Sequence, residues 1–297
     1  MKKVVWLFEV SALFILSLPI ALLPLRWALK AGEKLGLLLF YVWKSRRKIA
    51  IENLSMVVSS GALQISEPVV KLIKDNFRNL GKSSVEVIKI YYGLGQKIFG
   101  SVSIEGIDNM ERAKSKGKGM LFLTGHCGNW ELIAMVASLK LSELAVVARP
   151  LDNPYINNII EGARGKYGNR VIPKKGALKS IIRVLGSNGC VGILMDQAVT
   201  RNEGFITDFL GRGAWTSKVP ATIARKTGAA VLPAFIHRTG RGHVIKVYPE
   251  VDLSRIEDRE TAITEDTIRF SSFVEDYIRE HPEEWLWIHR RWKRVKS

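Results

Sequence analysis

Cysteine is the scarcest of the reactive residues in this chain: two thiols, Cys127 and Cys190, in 297 residues. Each lies inside or beside an apolar, strand-like run. Two such residues draw no disulfide framework and no zinc spacing, so they read as reduced thiols in a protein facing the cytosol. His-Glu-x-x-His and Cys-x-x-Cys are both missing, which removes metalloprotease and structural-zinc classes. No Gly-x-Ser-x-Gly elbow occurs, which argues against a serine hydrolase of the usual α/β type. No dinucleotide or Walker glycine pattern follows a strand; the Gly117/Gly119 pair precedes one and lacks the third glycine. Neither a metal nor a cofactor is therefore expected. Acidic residues are also short, 28 against 45 Lys and Arg, giving a formal net charge of +17 and a pI near 9.9. A balance that basic points to an anionic partner: phospholipid headgroups, nucleic acid or an acidic protein.

Apolar residues are plentiful, at 47% of the chain. Val4 to Leu25 is about long enough to cross a bilayer, although Glu9, Pro19 and Pro24 interrupt it. Lys2 and Lys3 precede it, as in a secretory signal, but no small-residue cleavage site follows. Its downstream flank is the more basic one, with Arg26, Lys30, Lys34, Lys44, Arg46, Arg47 and Lys48, so the domain beyond should stay cytoplasmic. Residues 27–43 continue as an aromatic-rich amphipathic segment able to lie in the interface. Spanning and monotopic insertion both fit. Two N-terminal core helices would fit as well.

Helical spacing then runs from about Ile49 to Tyr92, with Val69, Leu72, Ile73, Phe77 and Leu80 on one face. From residue 100 short apolar runs alternate with amphipathic helices. The strand candidates are 120–124, 144–148, 170–173, 190–195, 230–236 and 244–248. The helix candidates are 107–113, 129–138, 154–166, 177–186, 218–227 and 260–280. Such alternation predicts an α/β fold with a mostly parallel sheet flanked by helices. No repeat, low-complexity tract or linker appears. The expected organisation is an anchor and interfacial segment over residues 1–43, then one catalytic domain over 44–297.

The candidate chemistry lies at strand ends, where open α/β sheets bind ligands. His126 follows the run at 120–124, Arg149 ends the run at 144–148, and Asp196 ends the run at 190–195. Gly125-His126-Cys127-Gly128-Asn129-Trp130-Glu131 places a carboxylate five residues after an imidazole. On one straight helix those two would point apart, so they meet only if the backbone turns, and Gly125 and Gly128 supply that freedom. A His held by a Glu can remove a proton from a hydroxyl near neutral pH. A capped helix start with a solvated His fits the same spacing. Cys127 reads as a small turn residue, with a nucleophile as the alternative. With no side-chain nucleophile evident, the pair favours direct transfer of an acyl group to a substrate hydroxyl, with backbone N–H groups near Gly128 stabilising the oxyanion.

The Gly-His-x-Gly-Asn-Trp-Glu stretch resembles the His-x4-Asp/Glu motif of the lysophospholipid and glycerolipid acyltransferase superfamily, in the form found in the late acyltransferases of lipid A biosynthesis. Further matches run in order along most of the chain. They are Arg46-Arg47-Lys48-Ile49-Ala50 with Asn53-Leu54, Ala148-Arg149-Pro150 with Asp152-Asn153-Pro154, Met195-Asp196-Gln197, Asp208-Phe209-Leu210-Gly211, and Trp285-Leu286-Trp287-Ile288-His289-Arg290-Arg291-Trp292-Lys293. The resemblance implies a glycerolipid-acyltransferase-like fold behind an N-terminal membrane-anchoring helix, at the cytoplasmic face of a bacterial inner membrane. It implies acyl transfer from an acyl carrier protein to a hydroxyl of a lipid A precursor, without a covalent enzyme intermediate. Another acceptor (a phosphoinositide mannoside, an aminolipid or a lysophospholipid) and an acyl-CoA donor fit the same superfamily.

Carried onto this sequence, the resemblance makes His126 the general base and Glu131 the group that orients it and stabilises its protonated form. Glu131 departs from the Asp common in the wider superfamily but matches this branch. Gly125, Gly128 and Asn129 support the motif. Arg164 is assigned to a phosphate and Asp196 to site architecture, with a structural ion pair between the two as the alternative, and Arg149 is a further candidate for anion contact. The implied partners are an acyl carrier protein, a glycolipid acceptor and the anionic inner-membrane leaflet, to which the basic stripe Lys174, Lys175, Lys179 and Arg183 is suited. Arg290, Arg291, Lys293, Arg294 and Lys296 around Trp292 resemble a nucleic-acid patch in composition, but no nucleic-acid motif accompanies them and none is expected to bind.

Overall fold

A computed structural model describes residues 2–240, 242–293 and 295. Two helices open the chain, α1 (Lys2–Leu22) and α2 (Leu25–Val42), broken at Pro24, whose fixed φ starts the second. Helices α3 (Lys44–Ser59) and α4 (Val69–Tyr91) follow. The helical pattern expected across 49–92 is therefore two helices. Gly61 turns the chain at a φ of +77°, and Pro68 caps the start of the second.

The alternating region begins with the short helix α5 (Gln96–Gly100), then β1 (Val102–Glu105), α6 (Ile107–Ser115), β2 (Met120–Thr124), α7 (Trp130–Lys140) and β3 (Leu144–Ala148). It continues through α8 (Pro154–Lys166), β4 (Asn169–Pro173), α9 (Ala177–Gly186), β5 (Cys190–Leu194), β6 (Gly204–Phe209) and β7 (Arg212–Ser217). It closes with α10 (Val219–Thr227), β8 (Ala230–Thr239), β9 (Gly242–Val247) and α11 (Arg259–Glu280). Seven strands form one sheet in the order β1-β9-β8-β2-β5-β3-β4, while β6 and β7 make a separate antiparallel hairpin. Among the described residues, only the β8–β9 pairing in the large sheet is antiparallel. The mostly parallel α/β architecture is as expected. Strand β1 and the hairpin were not, because their short mixed polar and apolar runs carry no continuous hydrophobic signal.

Strands β2 and β5 occupy the centre and are buried on both faces, which is why they read as unbroken apolar runs. Side chains alternate between two cores. Leu121, Leu123 and Val191 face one shared with α3, α4, α10 and α11, and Met120, Phe122 and Cys190 face one shared with α6 and α7.

Helices α2 and α4 touch backbone to backbone. A Cβ on Gly81 would lie 2.0 Å from the Gly32 carbonyl oxygen, and one on Gly36 would lie 2.1 Å from that of Phe77. Small residues at such crossings let helices approach at van der Waals distance. Gly81→Val is expected to destabilise the protein by about 1–3 kcal/mol or more, since overpacking against backbone has no relief. Gly100→Ala, which meets no atom within 4 Å, is the control. Thermal unfolding in detergent compares them, and equal midpoints would contradict the close crossing.

Candidate active site

Parallel pairing in register brings the site together. Thr124 at the end of β2 lies opposite Leu194 at the end of β5. Two residues further along each strand come His126 and Asp196, so the register that pairs the strands also pairs these side chains. His126 Nδ1 lies 2.8 Å from Asp196 Oδ1, and the His126 backbone N–H donates to Asp196 Oδ2 at 3.0 Å. Trp285 Nε1–H donates to the same Oδ2 at 2.8 Å. Asp196 is 2% exposed, so its negative charge is held entirely by these donors. Gly125 is required for room: a Cβ there would stand 3.3 Å from the Asp196 carboxyl carbon and 3.1 Å from Cys127 Sγ. Gly128 supplies the turn, with a φ of +53° and its Cα against the Ile236 carbonyl.

An ionised Asp196 accepts from Nδ1–H, which leaves the lone pair on His126 Nε2 as the reactive position. Gln197 stands there, its amide nitrogen 3.1 Å from Nε2. Burial pulls the imidazole pKa down, but the charge and hydrogen bond of Asp196, with the charge of Glu131, more than offset this and raise it above 6.5. Burial likewise pushes Asp196 up, yet His126 and Trp285 together hold it at about 2. His289 is the other imidazole in this field, and burial lowers it to about 4, so it stays neutral.

Sequence reasoning put Glu131 on His126. In the structure Asp196 makes that hydrogen bond, and Glu131 faces Arg164, whose Nη2 and Nε donate to its two oxygens at 2.5 and 3.1 Å. Tyr91 Oη–H adds a longer contact at 3.4 Å. His126 feels Glu131 as a nearby charge. The alternative that Arg164 and Asp196 pair with each other does not hold, since each has a different partner. Asn129 caps α7 by accepting from the Leu132 N–H, while its amide donates to buried Glu86 at 2.9 Å. The Gly128 N–H is committed to the Glu284 carbonyl at 2.9 Å and is not an oxyanion donor.

Beside this cluster the sheet and α7 line an apolar cavity, with Phe122, Thr124, Trp130, Ile133, Leu144 and Gly192 among its walls. Trp130 joins the two regions: it lines the cavity, and its ring stands edge-on 5.3 Å from that of His126.

The family model for bacterial lipid A biosynthesis acyltransferases matches residues 3–294. The chain belongs to that family. It is 26% identical over 268 residues to the lipid A biosynthesis palmitoleoyltransferase of Escherichia coli, covering 88% of this chain and 83% of that one. It is 25% identical over 274 residues to the lauroyltransferase of the same organism, covering 91% and 87%. A phosphatidylinositol mannoside acyltransferase of Mycobacterium tuberculosis is 28% identical over 193 residues, 64% of this chain and 59% of that one. Among solved structures, a 1-acyl-sn-glycerophosphate acyltransferase from Thermotoga maritima overlays with a TM-score of 0.37 at 16% identity, over 81% of this chain and 96% of that one.

This lipid A family acyltransferase builds its site from motifs scattered along the sequence. Asn53 donates to the Trp287 and His289 carbonyls at 2.8 Å, and Arg46 to that of Ile288 at 3.1 Å. They hold the tryptophan-rich C-terminal segment against the His126 loop, where the Leu286 N–H donates to the His126 carbonyl. Asp208 to Gly211 turns the β6–β7 hairpin, so that Phe209 packs on Trp285 and Trp292. Arg291 is fully buried over the Phe209 ring and donates to Thr216 Oγ1 at 2.7 Å, so it belongs to no basic surface patch. Arg294 and Lys296 lie outside the described residues. Arg149 is exposed and pairs with Asp152 at 3.2 Å, apart from the His126 network. Lys174, Lys175, Lys179 and Arg183 are exposed, with Lys174 near Glu203 at 3.5 Å. Burial pushes the Cys127 thiol well up, which fits a turn residue rather than a nucleophile. Gln197 and Trp285 were legible only as motif members; the placement of Gln197 against His126 and of Trp285 against Asp196 depends on tertiary structure.

With His126 as the candidate base, activity is expected to fall as pH drops through its raised pKa. Asp196→Asn removes the carboxylate, which should move that limb to lower pH and cut kcat by on the order of 10²–10⁴. A pH–rate profile with an unmoved limb would contradict the assignment.

Proposed function

We propose that this acyltransferase moves a fatty acyl chain from an acyl carrier protein thioester to a hydroxyl of a lipid A precursor. The hydrogen bond between His126 Nδ1 and buried Asp196 carries the reading, because it fixes the tautomer that leaves Nε2 free to act as base. The substrate hydroxyl displaces Gln197, gives its proton to Nε2, and its oxygen attacks the thioester carbonyl carbon. The C–O bond forms, the C–S bond breaks, and the imidazolium returns its proton to the departing thiolate. Asp196 by hydrogen bond and Glu131 by charge stabilise that imidazolium. No enzyme-bound acyl group is needed, and Cys127, buried with its thiol pKa pushed up, offers no nucleophile.

The apolar cavity beside Trp130 accommodates the donor chain, each buried methylene contributing roughly 0.8 kcal/mol. Arg164, already engaged with Glu131, sets the anionic side of the acceptor site. Helix α1, 21 residues long and largely uncovered, is apolar enough to cross a membrane. It and α2 form the anchor over residues 1–43, with residues 44–297 carrying the chemistry at the cytoplasmic face of the inner membrane. Basic α9 suits an acidic carrier protein. The names of the E. coli relatives favour a lipid A acceptor over a mannosylated phosphoinositide.

Full-length protein in detergent, given a tetra-acylated lipid A precursor and a series of acyl carrier protein thioesters, should yield a product heavier by one acyl chain. His126→Ala should reduce that yield by on the order of 10²–10⁴. Transfer to lysophospholipid alone, or from acyl-CoA alone, would overturn the assignment. Gly192 lines the cavity, and a Cβ there would meet only the Leu144 side chain at 3.6 Å. Gly192→Ala should therefore fold and shift preference to shorter chains; an unchanged chain-length profile would place the acyl group elsewhere.

A further inference from the structure

Helix α1 carries one acidic residue, Glu9, in an otherwise apolar run. A carboxyl in such a segment is costly unless it has a partner and a purpose. Its partner is Asn153, whose amide nitrogen donates to Glu9 Oε2 at 2.8 Å and to the Trp6 carbonyl at 3.0 Å. The oxygen of the same amide accepts from the Tyr155 and Ile156 N–H groups at 3.0 and 3.3 Å, so Asn153 is also the N-cap of α8. One side chain, 6% exposed, thus uses both donors on the membrane helix and its acceptor on the catalytic domain.

The second observation concerns α8 itself. None of its 13 residues is fully buried. A helix without a buried face takes little of its placement from packing. What fixes it is polar and lies at its ends: Asn153 at the start, and near the finish Arg164 on Glu131 with the Tyr167 hydroxyl on the Ile90 carbonyl at 2.8 Å. Further along, α1 is tied to α4, which carries Tyr91 of the same cluster. Lys89 Nζ donates to the Ala21 and Leu23 carbonyls at 2.6 and 2.7 Å, and the Ser17 and Tyr92 hydroxyls lie 2.9 Å apart.

We propose that Glu9 and Asn153 are positioning residues, through which the seating of the membrane helix on α8 sets Arg164 against Glu131. The anchor is then a working part of the site, and the enzyme reaches full activity only with α1 docked. The kinetic half of this proposal rests on the acyl-transfer reading above; the structural half does not.

The test compares full-length wild type, Glu9→Leu and Glu9→Gln in detergent, by amide hydrogen exchange over residues 154–166 and by acyl-transfer kinetics. Leu keeps the helix apolar, so Glu9→Leu stays in the membrane fraction. It should speed exchange in the first turn of α8 and lower kcat by about tenfold, the scale of a modest misplacement of catalytic groups. Glu9→Gln keeps an oxygen for the Asn153 amide and should restore both readouts. Unchanged exchange in Glu9→Leu would overturn the coupling whatever lipid the enzyme acylates. Faster exchange with unchanged kcat would overturn the positioning role, since a mere anchor predicts no kinetic loss.

Discussion

A buried carboxylate must be neutralised, and the way Asp196 is neutralised organises the rest of this molecule. Three donors meet it: the His126 ring, the His126 backbone N–H and the Trp285 indole. Each comes from a part of the chain that a different constraint puts in place. The imidazole arrives through the parallel register of β2 and β5. The indole arrives through a C-terminal segment held by Asn53, Asn76 and Arg46 from the helical N-terminal third. Because removal of one partner from a buried charge costs far more than the pair gains, all three contacts are effectively obligatory. The most distant motifs of the sequence therefore serve one carboxylate.

A second constraint acts from the outside. In the proposed reaction the acyl chain stays in an apolar place while its carbonyl carbon meets a polar hydroxyl. Trp130 lines the cavity under α7 and also stands edge-on against the His126 ring, so the apolar cavity and the His126 cluster meet at one residue. Glu131 is held by Arg164 and Tyr91, contributed by α8 and α4. Through those two helices the site is linked by hydrogen bonds to the apolar helix α1, which gives the proposed coupling between α1 and Glu131 a continuous physical route.

Much of this was legible in the residues. The six apolar strand runs and the amphipathic helices between them appear close to their expected bounds, most clearly at the central strands β2 and β5, whose burial on both faces leaves a continuous apolar signature. Strand β1, Val-Ser-Ile-Glu, and the hairpin through Gly204 and Arg212 left none. His126 and Asp196 could be placed at strand ends, yet not on each other. Their meeting depends on β2 lying next to β5, strands separated in sequence by β3 and β4. Spacing along the chain favoured Glu131, five residues away, over Asp196, seventy residues away. Local spacing could not reveal that Arg164 claims the nearer carboxylate.

The central claim is that Asp196 holds His126 as the Nδ1–H tautomer with a raised pKa. ¹⁵N NMR of the full-length protein labelled at histidine reads both properties, with the His126 signals assigned by their loss in His126→Gln. Above the titration the account predicts a protonated Nδ1 and a bare Nε2, with a midpoint above 6.5 that falls in Asp196→Asn. A protonated Nε2 at high pH, or a midpoint below 6.5 unaffected by that substitution, would contradict it.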